Sequence, residues 1–262
     1  MDCFVQTFPP NTRGRDLITT DIHGHIRRLY HALQRADFDP SRDRVFSAGD
    51  MVNRGPDHDL LLSLLREKWF FSVRGNHDDM ALAYISNILN GQKNKNDLLS
   101  VGLHDWTDDI QDDELSKIAE EISKLPYMIE IEQKDHKACG IVHAEVPLGQ
   151  SWQECKRKIL ARDQETILSL TYGRERAQNN INARVEGIER IFVGHSDVRY
   201  TFRKDGPHVL GNIVYIETGV SVPQGYLTLA DICATNDELM RPRRAKAPKH
   251  DKIELRGIAT PR

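Results

Sequence analysis

Cysteine is scarce and scattered in this 262-residue chain: Cys3, Cys139, Cys155 and Cys233 form no Cys-x-x-Cys pair. That disfavours a zinc knuckle and a disulfide scaffold, and it suits a reducing cytosol. Long apolar runs are missing as well. None approaches the roughly 18 residues that a bilayer-spanning helix needs, so no membrane role is expected. Met1-Asp2-Cys3-Phe4-Val5-Gln6 lacks a basic region followed by an apolar core, so no secretory signal is expected and the cytoplasm is the expected compartment. No internal repeat is apparent.

The composition is that of an ordinary globular protein, with 39% hydrophobic and 29% charged residues. The length allows a sizeable core and favours one large α/β domain over two small ones. The net charge of −3 is unevenly spread: residues 241–262 hold eight Lys/Arg against two Asp/Glu, and the other 240 residues hold 28 against 37. An acidic body therefore carries a basic tail. Residues 1–15 have no period and read as a loose arm, residues 16–235 as the folded domain, and residues 236–262 as a basic, disordered tail. Such a tail suits weak contact with an anionic partner, although few aromatics accompany its charges and base stacking has little support.

Along the body, apolar runs alternate with helical stripes. Strands are predicted at Leu17–Thr20, Arg44–Ala48 and Trp69–Val73. Between and after them come helical faces at Ile26, Leu29, Tyr30 and Leu33, at Leu60, Leu61, Leu64 and Leu65, and over Met80–Leu89. This β-α-β-α-β order predicts a mainly parallel sheet with helices packed on it, and ligands outside the carboxyl ends of its strands. Residues 91–114 are polar and acidic, a solvated insertion or a lid. A helix is predicted over Leu115–Leu125, strands over Tyr127–Glu132 and Ala138–Val142, and two helices over Trp152–Leu170. Later strands at Ile191–Val193, Ile213–Ile216 and Leu227–Ala230 would add a second sheet.

The polar loops after these strands carry the chemistry. Thr20-Asp21-Ile22-His23-Gly24, Ser47-Ala48-Gly49-Asp50-Met51-Val52-Asn53-Arg54-Gly55-Pro56 and Arg74-Gly75-Asn76-His77-Asp78 each follow an apolar run. So do His143, after Ile141-Val142, and His195, after Ile191-Phe192-Val193-Gly194. One histidine at a strand end is an ordinary turn residue. Five such signals together put Asp21, His23, Asp50, Asn76, His77, His143 and His195 at one rim. Oxygen and nitrogen donors without thiolate suit Mn²⁺, Fe or Zn²⁺. A pair of such ions about 3.5–4 Å apart shares a carboxylate, and Asp50 is the best candidate for it.

The ordered set Asp21-x-His23-Gly24, Gly49-Asp50-x-Val52-x-Arg54-Gly55, Arg74-Gly75-Asn76-His77-Asp78, His143-Ala144 and Gly194-His195 resembles the motifs of the phosphoprotein-phosphatase family of metallophosphoesterases. It looks most like the bacteriophage lambda-type and related bacterial serine/threonine protein phosphatases. The resemblance covers about residues 15–232. It includes Trp69, His143-Ala144-Glu145-Val146-Pro147, Gly173-Arg174-Glu175-Arg176 and Tyr215-Ile216-Glu217-Thr218-Gly219. It implies a central β-sandwich of mixed sheets flanked by helices, with the active site at the strand carboxyl ends. It implies a phosphorylated protein or peptide as substrate, in a bacterial cell or a phage-infected host. Two divalent ions, Mn²⁺ first, would be held by Asp21, His23 and Asp50 and by Asp50, Asn76, His143 and His195. A bridging hydroxide would attack phosphorus. His77 would protonate the leaving oxygen, and Arg54, Arg74 and Arg174 would bind phosphate oxygens.

The sequence departs from the family pattern at three places. Asn53 stands where the family has an aspartate that pairs with the histidine acid. His77 is then expected to be a weaker acid catalyst for poor leaving groups, with an activity optimum shifted toward acid, unless Asp57, Asp59 or Asp79 replaces the charge. Thr20 replaces a usual glycine, and Asp78 a usual glutamate. A symmetrical dinucleoside polyphosphate hydrolase shares the metal motifs, a similar Arg-Gly-Pro and the missing aspartate, and is the competing enzyme. A metal-bound module that binds nucleic acid through its tail is the non-catalytic alternative.

Overall fold

A computed structural model describes residues 4–92, 106–134 and 137–239. The expected disordered tail beyond residue 239 and most of the acidic insertion lie outside the described residues. Among those described, no helix is long and apolar enough to cross a membrane.

The chain runs β1 (Val5–Phe8), β2 (Asp16–Thr19), α1 (Ile26–Arg35), β3 (Arg44–Ser47), α2 (Leu61–Leu65), β4 (Phe70–Ser72) and α3 (Asn76–Leu89). After a 3₁₀ turn at Trp106–Asp109 come α4 (Asp112–Ser123), β5 (Met128–Glu132), β6 (Ala138–Ile141), α5 (Trp152–Leu160), α6 (Gln164–Tyr172) and α7 (Glu175–Gln178). The chain then continues through β7 (Arg190–Val193), α8 (Val198–Thr201), β8 (His208–Leu210), β9 (Ile213–Tyr215), β10 (Leu229–Asp231) and α9 (Asn236–Leu239).

The strands form two sheets, one in the order β1-β5-β6-β7-β9-β8 and one in the order β10-β2-β3-β4. As expected, β2, β3 and β4 are parallel neighbours. The side-chain period of two explains how these short strands bury both faces. Ile18 and Phe46 point between the sheets, where they meet Ile129, Ile131, Ile141, Phe192 and Val214. Their neighbours Leu17 and Val45 face the other way, onto Leu29, Leu33, Leu61, Leu64, Ile85 and Ile118 of the helices. Ile191, Val193, Ile213 and Tyr215 likewise face Trp152, Cys155, Ile159 and Leu170. The result is a helix–sheet–sheet–helix sandwich, the expected class.

Three details differ from the expectation. Val5–Phe8, placed in a loose arm, is a strand that pairs in parallel with β5; Phe8 is buried and packs edge-on against Phe46 and Phe71. A four-residue strand is too short to show a period. β10 does not join the second sheet but pairs antiparallel with β2, where Thr19 Oγ1 donates to Thr228 O at 2.9 Å. The acids at 112–114 are the first turn of α4, where negative charge complements the helix dipole.

Candidate active site

Every motif loop leaves the carboxyl end of a strand, and the loops converge. Asp21 and His23 follow β2, Asp50 follows β3, Asn76 and His77 open α3 just after β4, His143 follows β6 and His195 follows β7. His23, Asp50, Asn53, Arg54 and His195 all have positive φ, between 45° and 72°. Non-glycine residues adopt this region at a cost, and such strain clusters where function fixes a side chain. Two glycines make room for the carboxylates. A Cβ on Gly75 would lie 2.1 Å from Asp50 Oδ1, and one on Gly194 would lie 1.8 Å from Asp21 Oδ1.

Asp50 lies at the centre. Its Oδ2 is 3.6 Å from His23 Nε2, and its Oδ1 is 3.4 Å from His143 Nε2 and accepts the His77 N–H at 2.9 Å. Two clusters of ligand atoms meet on it: His23, Asp50 and His77, and Asp50, His143 and His195. The first cluster holds His77 where the expected set had Asp21. Asp21 lines the same cavity, 3.9 Å from His143 Nδ1, with its oxygens accepting the His195 N–H. Asn76 Oδ1 is 3.0 Å from His143 Nε2.

The histidines are oriented from behind. His23 Nδ1 bonds Val52 O at 3.0 Å, and His143 Nδ1 bonds Ala48 O at 2.7 Å, so each Nε2 turns to the centre. An imidazole whose far N–H is held by a carbonyl is oriented as a metal ligand. His195 Nε2 is buried without a hydrogen-bond partner. The electrostatics match. Burial lowers the basicity of His143 to about 4 and of His195 to about 2, and takes His23 well down. Burial pushes Asp50 up to about 7 and takes Asp21 well up, aided for Asp21 by Glu217 and Asp50. Neutral imidazole nitrogens beside crowded, desolvated carboxylates form a donor set that divalent cations fit.

Arg54 donates to His23 Nε2 at 2.9 Å and to His77 Nε2 at 3.0 Å. Arg174 makes only long contacts, to Ser196 Oγ at 3.5 Å and His195 O at 3.4 Å. Both line a cavity of about 290 Å³ with Asp21, His23, Asp50, Asn76, His77 and His195. Arg74, expected beside them, is elsewhere. Its guanidinium donates to Ser123 O and to Tyr127 Oη, packs on the Tyr127 ring and pairs with Asp79 at 3.5 Å. These partners hold it against the end of α4, and it does not line the cavity.

Asn53 is buried, with its amide between His77 Nδ1 and Trp106 Nε1. None of the three aspartates considered as substitutes reaches His77. Asp57 and Asp59 bind Arg27, and Asp79 binds Arg74 and Tyr127. The other departures have local explanations. Asp78 accepts Met51 N–H at 2.8 Å and Gly75 N–H at 2.9 Å, clamping the second motif to the third. Thr20 Oγ1 donates to the buried Glu217.

Several cavity residues had no assigned role in the sequence: Glu217, Asp197, Tyr200 and Ser221 line it. Glu145 is another. Its carboxylate accepts the N–H groups of Glu175 and Arg176 at 2.8 and 2.9 Å, holding the turn that bears Arg174. Glu145 and Glu217 stood inside quoted family marks, which gave a signal of place without a role.

The profile of the calcineurin-like phosphoesterase family matches residues 15–203. Serine/threonine-protein phosphatase 1 of Salmonella typhimurium is 32% identical over 220 residues, which are 82% of this chain and 90% of that protein. A symmetrical bis(5'-nucleosyl)-tetraphosphatase of Stutzerimonas stutzeri is 44% identical over 70 residues, 26% of each chain. In fold, the chain is similar to a crystal structure described as a putative diadenosine tetraphosphatase, with TM-score 0.60, 22% identity, and coverage of 88% of this chain and 94% of that one. With the ligand geometry at the strand ends, these matches identify the chain as a hydrolase that belongs to the calcineurin-like metallophosphoesterase family.

Proposed function

We propose that the chain is a phosphomonoester hydrolase of the serine/threonine protein phosphatase type, acting on phosphorylated protein or peptide. The observation that carries this reading is the position of Asp50 between two groups of donors, all buried but the half-buried His195, beneath a cavity walled by two arginines. Asp21, His23, Asp50, Asn76, His143 and His195 would hold two divalent cations, Mn²⁺ first, with Fe or Zn²⁺ as alternatives. Such ions polarise phosphoryl oxygens and activate water near neutral pH.

The chain's own residues supply the rest. Arg174 is free to turn its planar fork onto the phosphate, and Arg54 bridges the cavity wall to His77. Both neutralise charge that builds on the equatorial oxygens. His77 faces the departing oxygen from its cavity side. Glu145 keeps Arg174 in register with His143, because it ties the α7 turn to the loop after β6.

A second reading, hydrolysis of symmetrical dinucleoside polyphosphates, is favoured by one observation: no carboxylate stands at His77 Nδ1, where Asn53 is found. The protein phosphatase reading is preferred because the Salmonella relative aligns over 90% of its length and spans the marks after His143 and around Arg174. The test is an Mn²⁺-dependent turnover panel of phosphopeptides, an aryl phosphate, diadenosine tetraphosphate and a cyclic nucleotide. Phosphopeptide and aryl phosphate turnover well above the dinucleotide is expected. Dinucleotide turnover alone would reject the reading.

A further inference from the structure

The fold covers its aromatic rings with two exceptions. Of the eight Phe, three Trp and seven Tyr, all among the described residues, only Tyr172 and Tyr200 are exposed, at 41% and 64%. Both stand beside the same candidate ligand. The Tyr172 ring meets His195 edge-on, with centroids 6.5 Å apart and planes 77° apart. Tyr200 lies on α8, just past His195, and lines the cavity. Exposed apolar residues scattered singly are ordinary. Two tyrosines left in water at one cavity, with every other aromatic ring buried or half-buried, are not.

Both rings are held from behind. Asp197 accepts the Arg199 N–H at 2.9 Å and pairs with its guanidinium at 3.1 Å, and that guanidinium lies 5.8 Å from the centre of the Tyr200 ring. Tyr172 ends α6, directly before the turn that bears Arg174. Leu168, one helical turn earlier on the same face, is exposed too and extends the apolar surface along α6. Tyrosine offers a large, stiff contact area with few bonds to order, which suits a recognition rim.

Rings beside a phosphate site can hold a peptide or a nucleobase, and charge decides between them. Among the described residues, the arginines of the cavity are Arg54 and Arg174. Arg199 is paired with Asp197 and does not line it. The wall around Tyr200 adds Asp197, Thr201, Glu217, Ser221 and Val222, which are two carboxylates, two hydroxyls and an aliphatic group. Further phosphates of a polyphosphate chain would meet negative charge there and no cation. A polypeptide backbone is neutral, escapes that repulsion and finds hydrogen-bond partners in Thr201 and Ser221.

We propose that Tyr172 and Tyr200 form an aromatic clasp at the cavity mouth that grips the polypeptide on either side of the phosphorylated residue. They are specificity-determining residues: they read apolar and planar groups flanking the phosphate and leave the phosphate itself to the arginines. This rests on the protein phosphatase reading above and deepens it.

The test compares kcat/KM, with Mn²⁺, for a phosphoserine peptide with apolar residues on both sides and for N-acetyl-phosphoserine amide, which has the same leaving group and no flanks. The wild type is expected to favour the peptide about tenfold or more, and to lose most of that preference when the flanks are replaced by glycine. Tyr172→Ala and Tyr200→Ala are each expected to lower the peptide-to-amide ratio about 3–10-fold, through KM and not kcat. Tyr172→Phe and Tyr200→Phe, which keep the ring, are expected to retain most of it. Losses equal on both substrates would mark merely structural residues and overturn the proposal. Phenylalanine variants as weak as the alanine ones would overturn it too, as would a loss confined to diadenosine tetraphosphate, which would give the rings to a nucleobase. The glycine-flanked peptide needs no variant, so the proposal stays decidable even if a substitution unfolds the chain. A wild type that turns over both phosphoserine compounds equally sinks the clasp and leaves the phosphatase reading standing. A wild type that turns over neither sinks that reading, and the clasp with it.

Discussion

The two sides of the cavity are built differently. On the side of Asp21, Asp50, His143 and His195, every side chain lies within four residues of a strand end. Backbone carbonyls at Ala48 and Val52 aim the rings. On the side of His77, the partners Asn53 and Trp106 are 53 residues apart and meet only because a 3₁₀ turn packs beneath the second motif. Strand ends encode the first side as short local motifs. Tertiary packing encodes the second, so one residue there can change without disturbing the ligand set.

Arg174 and Arg74 sharpen this contrast most. Arg174→Ala is expected to lower kcat/KM on the order of 100-fold, the scale of losing a charge-assisted contact to the transition state. Arg74→Ala is expected to leave activity within a few-fold, about 3, and instead to cost about 1–3 kcal/mol of stability by removing the guanidinium from Ser123 O and leaving Asp79 with Tyr127 alone. Parallel steady-state kinetics and urea titrations of the two variants check this. A catalytic loss at Arg74 equal to that at Arg174 would restore it to the phosphate site.

Glu145→Ala comes next. Freed from two backbone hydrogen bonds, the Arg174 turn loosens, and KM is expected to rise about tenfold with less change in kcat. Glu145→Gln, which can still accept, is expected to recover part of that loss in the same assay.

The smallest effect lies far from the cavity, at Asp43, which accepts from Arg15 N at 2.9 Å and from the Arg15 side chain. Burial pushes the Asp43 carboxyl up, but the hydrogen bonds from Arg15 and Asp39 outweigh it and hold it below the ordinary carboxylate range. A depressed value means stabilisation that is present above the unfolded-state pKa, about 3.9, and lost as pH falls through the lower folded-state value. Asp43→Asn is expected to cost about 1 kcal/mol at pH 7. The gap to wild type should narrow in urea titrations below about pH 4.

The contrast also explains what the sequence disclosed. The parallel β2-β3-β4 unit was legible because each strand is followed by a helix with a clear apolar stripe. The ligand loops were legible because glycine, carboxylate and histidine recur directly after apolar runs. β1 and β8 were not, being four and three residues long with no room for a period. β10 was placed in the wrong sheet because strand pairing after the reversal near residue 225 depends on tertiary contact with β2. Arg74 was misplaced because it adjoins a motif, whereas its direction is set by α4, 49 residues on. Trp106 carries no motif at all.

The account depends on one carboxylate serving both donor groups, and counting bound ions tests this most directly. Equilibrium dialysis against Mn²⁺ should find about two equivalents on the wild-type chain, one fewer on His23→Ala, and a collapse at both positions in Asp50→Asn. An Asp50→Asn chain that still binds both ions with wild-type affinity would contradict the account.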